Sequence, residues 1–224
     1  MEILPGIHRI DGVSGANSYL VIGKDGNLII DTGMPGNAQK IADYIARTLK
    51  DVHGISLIVL THSDIDHIGS AEELKRITGG RLAIGKEDAP VLSGTASMKK
   101  PKGILGGVMG IAEHIMTFKP AQPDLLLEDG DVINDFKVIG TPGHTLGSIS
   151  LYLPGDVIIV GDALRSDSDG NPLLPSDTFS LDMDIAMDSV NKISGLAFDN
   201  LLAGHGSPVL GNASEKVKSL VGKE

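Results

Sequence analysis

Four side chains of metal-ligand type lie within one short stretch of the sequence. The stretch Thr61-His62-Ser63-Asp64-Ile65-Asp66-His67-Ile68-Gly69 directly follows an apolar, strand-like run. Ends of strands are where α/β proteins place their sites. The ligand types are His62, Asp64, Asp66 and His67. A single metal ion does not need so many ligands this close in sequence, so the spacing favours two neighbouring ions.

Three further ligand-type residues are isolated in the second half of the chain, each beside glycine at the end of a predicted strand. They are His144, Asp162 and His205. Glycine lets the backbone turn tightly and bring a short side chain towards a common centre. The chain has no cysteine, so only His, Asp and Glu remain as metal ligands. Each of the three is also explained as a turn residue, but together they indicate a metal site.

In kind, order and spacing, these residues resemble the signature of the metallo-β-lactamase superfamily. That signature is a His-x-His-x-Asp-His loop, then a distant His, a bridging Asp and a final His. The resemblance begins at Asp31-Thr32-Gly33, a turn that in the family helps brace the metal loop; Asp31 is equally explained as a turn former. The resemblance implies an α/β fold, the four-layer αβ/βα sandwich, with a dinuclear site at the edge between two sheets. It also implies that one ion takes His62, Asp64 and His144, that the other takes Asp66, His67 and His205, and that Asp162 bridges both.

Asp64 departs from the signature, because the family has histidine at this position. The additional carboxylate makes the site harder and less positive, which shifts its metal preference from zinc towards iron or manganese. For the superfamily pattern as a whole, two divalent ions are expected, with zinc ahead of iron or manganese. A carboxylate here also resembles the flavodiiron proteins, whose loop carries Glu. The alternative function is therefore a di-iron redox protein that binds or reduces oxygen or nitric oxide. Since the chain shows no flavin-binding pattern, the electrons would come from an external donor. A third alternative is a metal-bound module that only recognises a ligand or a partner.

The resemblance favours a metal-dependent hydrolase that acts on a small ester-like substrate, a thioester or lactone before a β-lactam. A hydroxide bridging the two ions would be available near neutral pH and would attack the carbonyl, with Asp66 orienting it. Lactonases of the superfamily carry Tyr three residues after the bridging Asp, where this chain has Arg165. We predict that Arg165 donates to the developing oxyanion or binds a substrate carboxylate. The glyoxalase II branch is similar in its core loop, but its C-terminal glutathione-binding region has no counterpart after His205, so strict glutathione specificity is not expected.

The apolar pattern predicts the elements that position the first cluster. The helical rhythm after Asn37 predicts a helix to Leu49. Ile55–Leu60 is a continuous apolar run, typical of a strand covered on both faces. Thr61–Gly69 follows as a loop. The capping-box pattern Ser70-x-x-Glu73 and the glycines after Thr78 predict a helix over Ala71–Thr78.

The same reasoning predicts the remaining elements. The predicted strands are Ile7–Val13, Ser18–Ile22, Leu28–Ile30, Arg81–Ile84, Leu125–Leu127, Phe136–Ile139, Ile149–Leu153, Val157–Val160 and Leu201–Ala203, with a helix over Leu181–Ile193. No Pro- or Ser-rich linker separates the halves. We therefore predict one domain over residues 1–224, interrupted by an insertion at about 93–123.

The insertion combines apolar residues with a short run of lysines. Its apolar members are Met98, Ile104, Leu105, Val108, Met109, Ile111, Ile115, Met116 and Phe118. Core packing or a homodimer interface explains them as well as a lid over the site does. The cations Lys99, Lys100 and Lys102 are read as a solvated charge run, with steering of an anionic substrate as the alternative.

Composition excludes several classes of function. A hydrophobic fraction of 41% with 21% charged residues is that of an ordinary globular protein, and 224 residues suffice for a full core. The net charge of −10 disfavours nucleic acid, leaving a small-molecule substrate as the expected partner. The sequence has neither a signal-peptide pattern nor an apolar run of membrane-spanning length. A cytoplasmic protein without membrane contact is therefore expected.

Overall fold

The computed structural model describes residues 1–102 and 118–222, which form two compact units. The first unit contains residues 1–98 and 118–127, and the second contains 99–102 and 128–222. Each unit has a β-sheet with helices, in keeping with the predicted α/β class. Within the described residues, none of the helices combines the length and hydrophobicity needed to cross a membrane.

The first unit is a seven-stranded sheet in strand order β1 to β7. Its strands are β1 (Glu2–Leu4), β2 (Ile7–Arg9), β3 (Tyr19–Val21), β4 (Asn27–Ile30), β5 (Ile55–Leu60), β6 (Arg81–Gly85) and β7 (Leu125–Leu127). The pairs from β1 to β4 are antiparallel, and those from β4 to β7 are parallel. The carboxyl ends of β4 and β5 therefore lie side by side, which brings the turn after β4 next to the ligand loop after β5.

Among the described residues, four α-helices accompany this sheet, with a 3₁₀ turn at Lys86–Asp88: α1 (Ala38–Leu49), α2 (Ile65–Ile68), α3 (Ala71–Thr78) and α4 (Ala89–Leu92). Residues Ile41 and Ile45 of α1 are fully buried and join β5 in one apolar core. This i, i+4 spacing is the pattern that predicted the helix. The predicted bounds of β5 and α3 are confirmed, since a buried β-branched run and a Gly stop are strong local signals.

Two predictions about this region are wrong. The segment Thr61–Gly69 is not wholly a loop, because α2 forms one helical turn within it. Ser70 stands at the N-cap position of α3, but its side chain makes no capping hydrogen bond. Its hydroxyl instead accepts from the Asn37 backbone N–H at 2.8 Å and donates to the Met34 carbonyl at 2.7 Å. These two long-range hydrogen bonds replace the local cap.

The second unit contains a five-stranded sheet in the order β14, β11, β10, β9, β8. Its strands are β8 (Val132–Ile133), β9 (Phe136–Gly140), β10 (Ile149–Leu153), β11 (Val157–Gly161) and β14 (Asn200–Ala203), with a separate pair of β12 (Arg165–Ser166) and β13 (Pro172–Leu173). Strands β11 and β14 are parallel and the other neighbours are antiparallel. Among the residues that the structure describes, the helices of this unit are α5 (Met183–Ser194) and α6 (Ala213–Val221).

The sequence patterns missed the shortest elements and the last helix. Strand β1 and helix α6 were not predicted, and strand β2 ends at Arg9 rather than Val13. In α6 only Ala213 and Val217 are buried. Two buried positions are too few to form the recurring apolar pattern from which a helix is predicted. Of the predicted insertion, residues 93–102 and 118–123 are described and contain no strand or helix of their own. Its centre, from Ile104 to Met116, lies outside the described residues.

Candidate metal centre

The carboxylate of Asp31 braces the ligand loop of the first unit. Asp31 follows β4, is 2% exposed, and has a left-handed backbone with φ of 58°. Its Oδ1 accepts from the Thr61 backbone N–H at 2.8 Å, and its Oδ2 accepts from Thr61 Oγ1 and His67 Nδ1, each at 2.8 Å. Asp31 is therefore a support of the ligand loop and more than a turn former.

These hydrogen bonds also determine which imidazole nitrogens can bind a metal. A carboxylate only accepts, so His67 Nδ1 donates to Asp31 and the lone pair of His67 lies on Nε2. Thr61 Oγ1 uses its single proton on Asp31 and therefore accepts from His62 Nδ1 at 3.1 Å. The lone pair of His62 is thus also on Nε2. Such carboxylate–histidine pairs orient metal ligands and raise their basicity.

The four predicted ligands of the first unit lie together. His62 and His67 are buried, with ring centroids 3.9 Å apart. His62 Nε2 lies 3.5 Å from Asp64 Oδ2. Asp66 and His67 present ligand atoms within 4.8 Å of each other. The single turn α2 achieves this, because the Asp64 carbonyl accepts from the His67 backbone N–H at 2.9 Å and folds the loop back on itself.

A buried carboxylate that the sequence analysis missed also holds this loop. Asp88 is 3% exposed, and its Oδ2 accepts from the Ser63 backbone N–H at 2.8 Å. Asp88 follows β6, which is the parallel neighbour of β5. In the sequence it is one charge in the polar run Lys86-Glu87-Asp88, and nothing in that run indicates a contact with Ser63.

The three predicted ligands of the second unit also lie together. Asp162 Oδ2 is 3.6 Å from His144 Nε2 and 3.4 Å from His205 Nε2. One carboxylate oxygen therefore lies close to both imidazoles. Asp162 and His205 follow β11 and β14, whose parallel pairing brings their carboxyl ends together.

Helix α5 holds the loop that carries His144. The Gly143 carbonyl accepts from the Asp182 backbone N–H at 3.0 Å, and the His144 carbonyl accepts from that of Leu181 at 3.1 Å. Gly143 has φ of +120°, and a Cβ there would overlap the backbone nitrogen of Ala186. Only glycine allows the helix to approach this closely. His144 is accordingly 2% exposed.

The His205 loop is held by the strand pair β12 and β13. The backbone N–H of Ser166 donates to the His205 carbonyl at 3.1 Å, and its hydroxyl donates to the nearby Ser207 carbonyl at 2.6 Å. Beside it, Arg165 Nε donates to the Leu174 carbonyl at 3.2 Å. Asn171 donates to Asp167 from its backbone and its side chain, which holds the pKa of that carboxyl below its usual value and closes the turn between the two strands. The catalytic role of Arg165 stays a prediction.

The lysine run is not a uniform solvated charge run. Lys99 Nζ lies 2.9 Å from His144 Nε2. Lys102 Nζ pairs with Asp177 Oδ1 at 3.1 Å, and its backbone N–H donates to the Thr178 carbonyl at 2.8 Å. Lys100 and Lys102 are both exposed, whereas Lys99 is partly buried.

The donor sets of both units fit a divalent metal. Each combines imidazole nitrogens with carboxylate oxygens, the ligand types of zinc, iron and manganese sites. In the first unit, Asp31 and Thr61 hold two imidazoles with Nε2 as the lone-pair atom. The histidine and aspartate groups can therefore bind a divalent metal ion.

A family model described as the metallo-beta-lactamase superfamily matches residues 11–205. The chain belongs to this superfamily. The membership confirms the resemblance inferred from the ligand motif. The probable metallo-hydrolase YflN of Bacillus subtilis (strain 168) is 28% identical over 94% of this chain and 87% of its own length.

Solved structures confirm the metallo-β-lactamase fold. BJP-1, a subclass B3 metallo-β-lactamase of Bradyrhizobium japonicum, aligns with a TM-score of 0.72 at 23% identity, covering all of this chain and 90% of BJP-1. A hydroxyacylglutathione hydrolase of Shewanella pealeana (strain ATCC 700345 / ANG-SQ1) is 31% identical to this chain. The alignment covers 59% of this chain and 40% of the hydrolase. This relative is similar to only part of the chain.

Proposed function

We propose that this superfamily member is a metal-dependent hydrolase of a small ester-like substrate, with a thioester or a lactone as the substrate class. The observation that carries the proposal is the pair of ligand clusters, one in each unit. In the first, a buried carboxylate orients His67; in the second, one oxygen of Asp162 lies close to two imidazoles. Both arrangements are typical of a metal centre rather than of a polar turn.

The proposed ligand assignment uses all seven predicted residues. His62, Asp64 and His144 would hold one ion, Asp66, His67 and His205 would hold the other, and Asp162 would serve both. The position of Asp162 Oδ2 relative to His144 and His205 supports its sharing. The 3.5 Å separation of His62 Nε2 and Asp64 Oδ2 supports placing these two residues on one ion.

When bound, such ions supply Lewis acidity and lower the pKa of a coordinated water to roughly 7. Side chains of the protein would orient the nucleophile and bind the substrate. The carboxylate of Asp66 would accept a hydrogen bond from the nucleophile and orient it. Arg165 would donate to the developing oxyanion or to a substrate carboxylate through its terminal nitrogens, because its Nε is used on the Leu174 carbonyl.

A thioester or lactone is proposed ahead of a β-lactam. The motif resembles that of the glyoxalase II branch, and the partial relative named hydroxyacylglutathione hydrolase is consistent with thioester chemistry. The similarity to BJP-1 concerns the fold alone. Glutathione itself is not proposed as the carrier, because the match to that relative covers 40% of the relative's length.

The metal content tests the proposal first. Protein produced without metal supplementation should contain about two divalent ions per chain by elemental analysis. Asp64→His should raise the zinc-to-iron ratio, because it replaces a hard carboxylate by an imidazole. An unchanged ratio would contradict the role of Asp64. Two irons with an oxo-bridge absorption and no hydrolysis would instead favour the redox alternative.

Hydrolysis tests the proposal second. A panel of thioesters, lactones and phosphodiesters should contain a substrate on which Asp66→Asn lowers kcat/KM by about a hundredfold or more. Arg165→Ala should lower it by about tenfold to a hundredfold. Arg47→Ala, an exposed arginine on α1, is the matched control and should leave it unchanged. If Arg165→Ala stays within about twofold of the unmodified chain, the proposed role of Arg165 is wrong.

A further inference from the structure

The hydroxyl of Thr61 links a proposed metal ligand to a buried carboxylate. Thr61 and His62 are both buried. Thr61 Oγ1 donates its proton to Asp31 Oδ2 at 2.8 Å, and the same oxygen accepts from His62 Nδ1 at 3.1 Å. A hydroxyl can donate one hydrogen bond and accept another at the same time. The Asp31 carboxylate therefore acts on the His62 ring through Thr61.

His67 is held by the same carboxylate directly. Its Nδ1 donates to Asp31 Oδ2 at 2.8 Å. Thr61 Oγ1 also lies 3.4 Å from His67 Nδ1, but this contact is longer than the one to the carboxylate, so Asp31 is the principal acceptor. Loss of the Thr61 hydroxyl would leave the bond between His67 and Asp31 in place.

The position of Asp31 does not depend on the Thr61 hydroxyl alone. Asp31 Oδ1 accepts from the Thr61 backbone N–H at 2.8 Å, and every residue except proline has this donor. The Asp31 backbone N–H donates to the Val59 carbonyl at 2.9 Å, and its carbonyl accepts from the Ser18 hydroxyl at 2.7 Å. A change confined to the hydroxyl at position 61 therefore keeps the carboxylate in place.

We propose that Thr61 is a positioning residue for one of the two metal ions, the ion that His62 would hold. Through Thr61, the carboxylate fixes the orientation of the His62 ring and raises the basicity of its Nε2, as carboxylate partners do for metal-binding histidines. The ion that His67 would hold does not need Thr61, because His67 contacts Asp31 directly. This inference rests on the proposed function, since it requires the two histidines to bind different ions.

Stepwise zinc binding to the whole chain tests the proposal. Competition with a chromophoric chelator gives a Kd for each ion, and His62→Ala and His67→Ala identify which ion each Kd describes. Thr61→Val keeps the β-branched shape and removes the hydroxyl. We expect it to weaken the His62 ion by about tenfold to a hundredfold and the His67 ion by less than about threefold. Thr61→Ser keeps the hydroxyl and should bind both ions as the unmodified chain does.

Thr78→Val controls for the loss of a buried hydroxyl. Thr78 is also buried, and its hydroxyl donates to the Leu74 carbonyl at 2.9 Å and accepts from the Gly80 backbone N–H at 3.2 Å. It lies at the end of α3, which carries none of the proposed ligands. Both Kd values should therefore stay unchanged. If Thr78→Val weakens the His62 ion as much as Thr61→Val does, the proposed role of Thr61 is wrong.

Each outcome decides one question. If the unmodified chain binds fewer than two zinc ions, the proposed dinuclear centre fails and the role of Thr61 fails with it. If two ions bind and Thr61→Val changes neither Kd, the role of Thr61 is wrong while the metal centre stands. Equal weakening of both ions also overturns the proposal, because Thr61 then serves the ligand loop as a whole. If circular dichroism shows that Thr61→Val does not fold, Thr61→Ala replaces it and the same outcomes decide.

Discussion

Asp31→Ala is expected to lower metal affinity by about tenfold to a hundredfold and to destabilise the fold by about 3 kcal/mol or more. The substitution leaves three buried donors without their carboxylate: the Thr61 backbone N–H, the Thr61 hydroxyl and His67 Nδ1. It also removes the hydrogen bond that orients the His67 ring. Metal affinity is measured by competition with a chromophoric chelator, and stability by denaturant unfolding of the metal-free protein.

Asp31→Asn separates these two effects. Asparagine tolerates the left-handed backbone at φ of 58° and can still accept from the Thr61 backbone N–H. Its amide nitrogen cannot accept a hydrogen bond from His67 Nδ1. We therefore expect Asp31→Asn to lose less stability than Asp31→Ala but to lose metal affinity to a similar degree. Wild-type metal affinity in Asp31→Asn would show that Asp31 serves the fold and not the ligand.

Gly206→Ala is expected to destabilise the fold by about 3 kcal/mol and to weaken metal binding. Gly206 has φ of +99°, and a Cβ there would overlap the Ser166 carbonyl oxygen. That oxygen belongs to backbone, so relief requires β12 and the His205 loop to separate. The separation would break the hydrogen bond from the Ser166 backbone N–H to the His205 carbonyl. Unfolding and chelator competition measure both effects.

Gly211→Ala is the matched control. Gly211 also has a positive φ, +71°, but a Cβ there would meet nothing within 4 Å. It should therefore cost only the left-handed conformation, about 1 kcal/mol, with unchanged metal affinity. Equal destabilisation by the two variants would mean that the contact between Gly206 and Ser166 is not what positions His205.

The local elements next to the ligands were largely predictable from sequence. Strand β5 and helix α3 have the predicted bounds, because a buried β-branched run and a Gly stop act over a few neighbouring residues. Helix α5 begins two residues later than predicted, at Met183, because Asp182 accepts from the backbone N–H groups of Asp184 and Ile185 and so caps it. Helix α2 was not predicted, because a single helical turn is too short to show the repeating apolar pattern of a helix.

Polar contacts across the fold were not predictable in the same way. Ser70 fits a capping box in sequence, yet its hydroxyl is used by Asn37 and Met34. A short polar side chain hydrogen-bonds to the groups that tertiary packing brings within reach. For Ser70, these groups are the backbone of Asn37 and of Met34, more than 30 residues earlier in the chain. The brace from Asp88 to Ser63 was missed for the same reason.

By itself the sequence determined which groups are present to bind a metal: seven ligand-type side chains, no cysteine, and glycines beside the three distal ligands. Residue types and short-range spacing carry that information, and they sufficed for the superfamily. Only the tertiary structure decided which groups orient the ligands, since the Asp31 to His67 hydrogen bond spans 36 residues and the Lys99 to His144 contact spans 45. Contacts at that separation depend on strand pairing and loop tethering, which no local pattern in the sequence encodes.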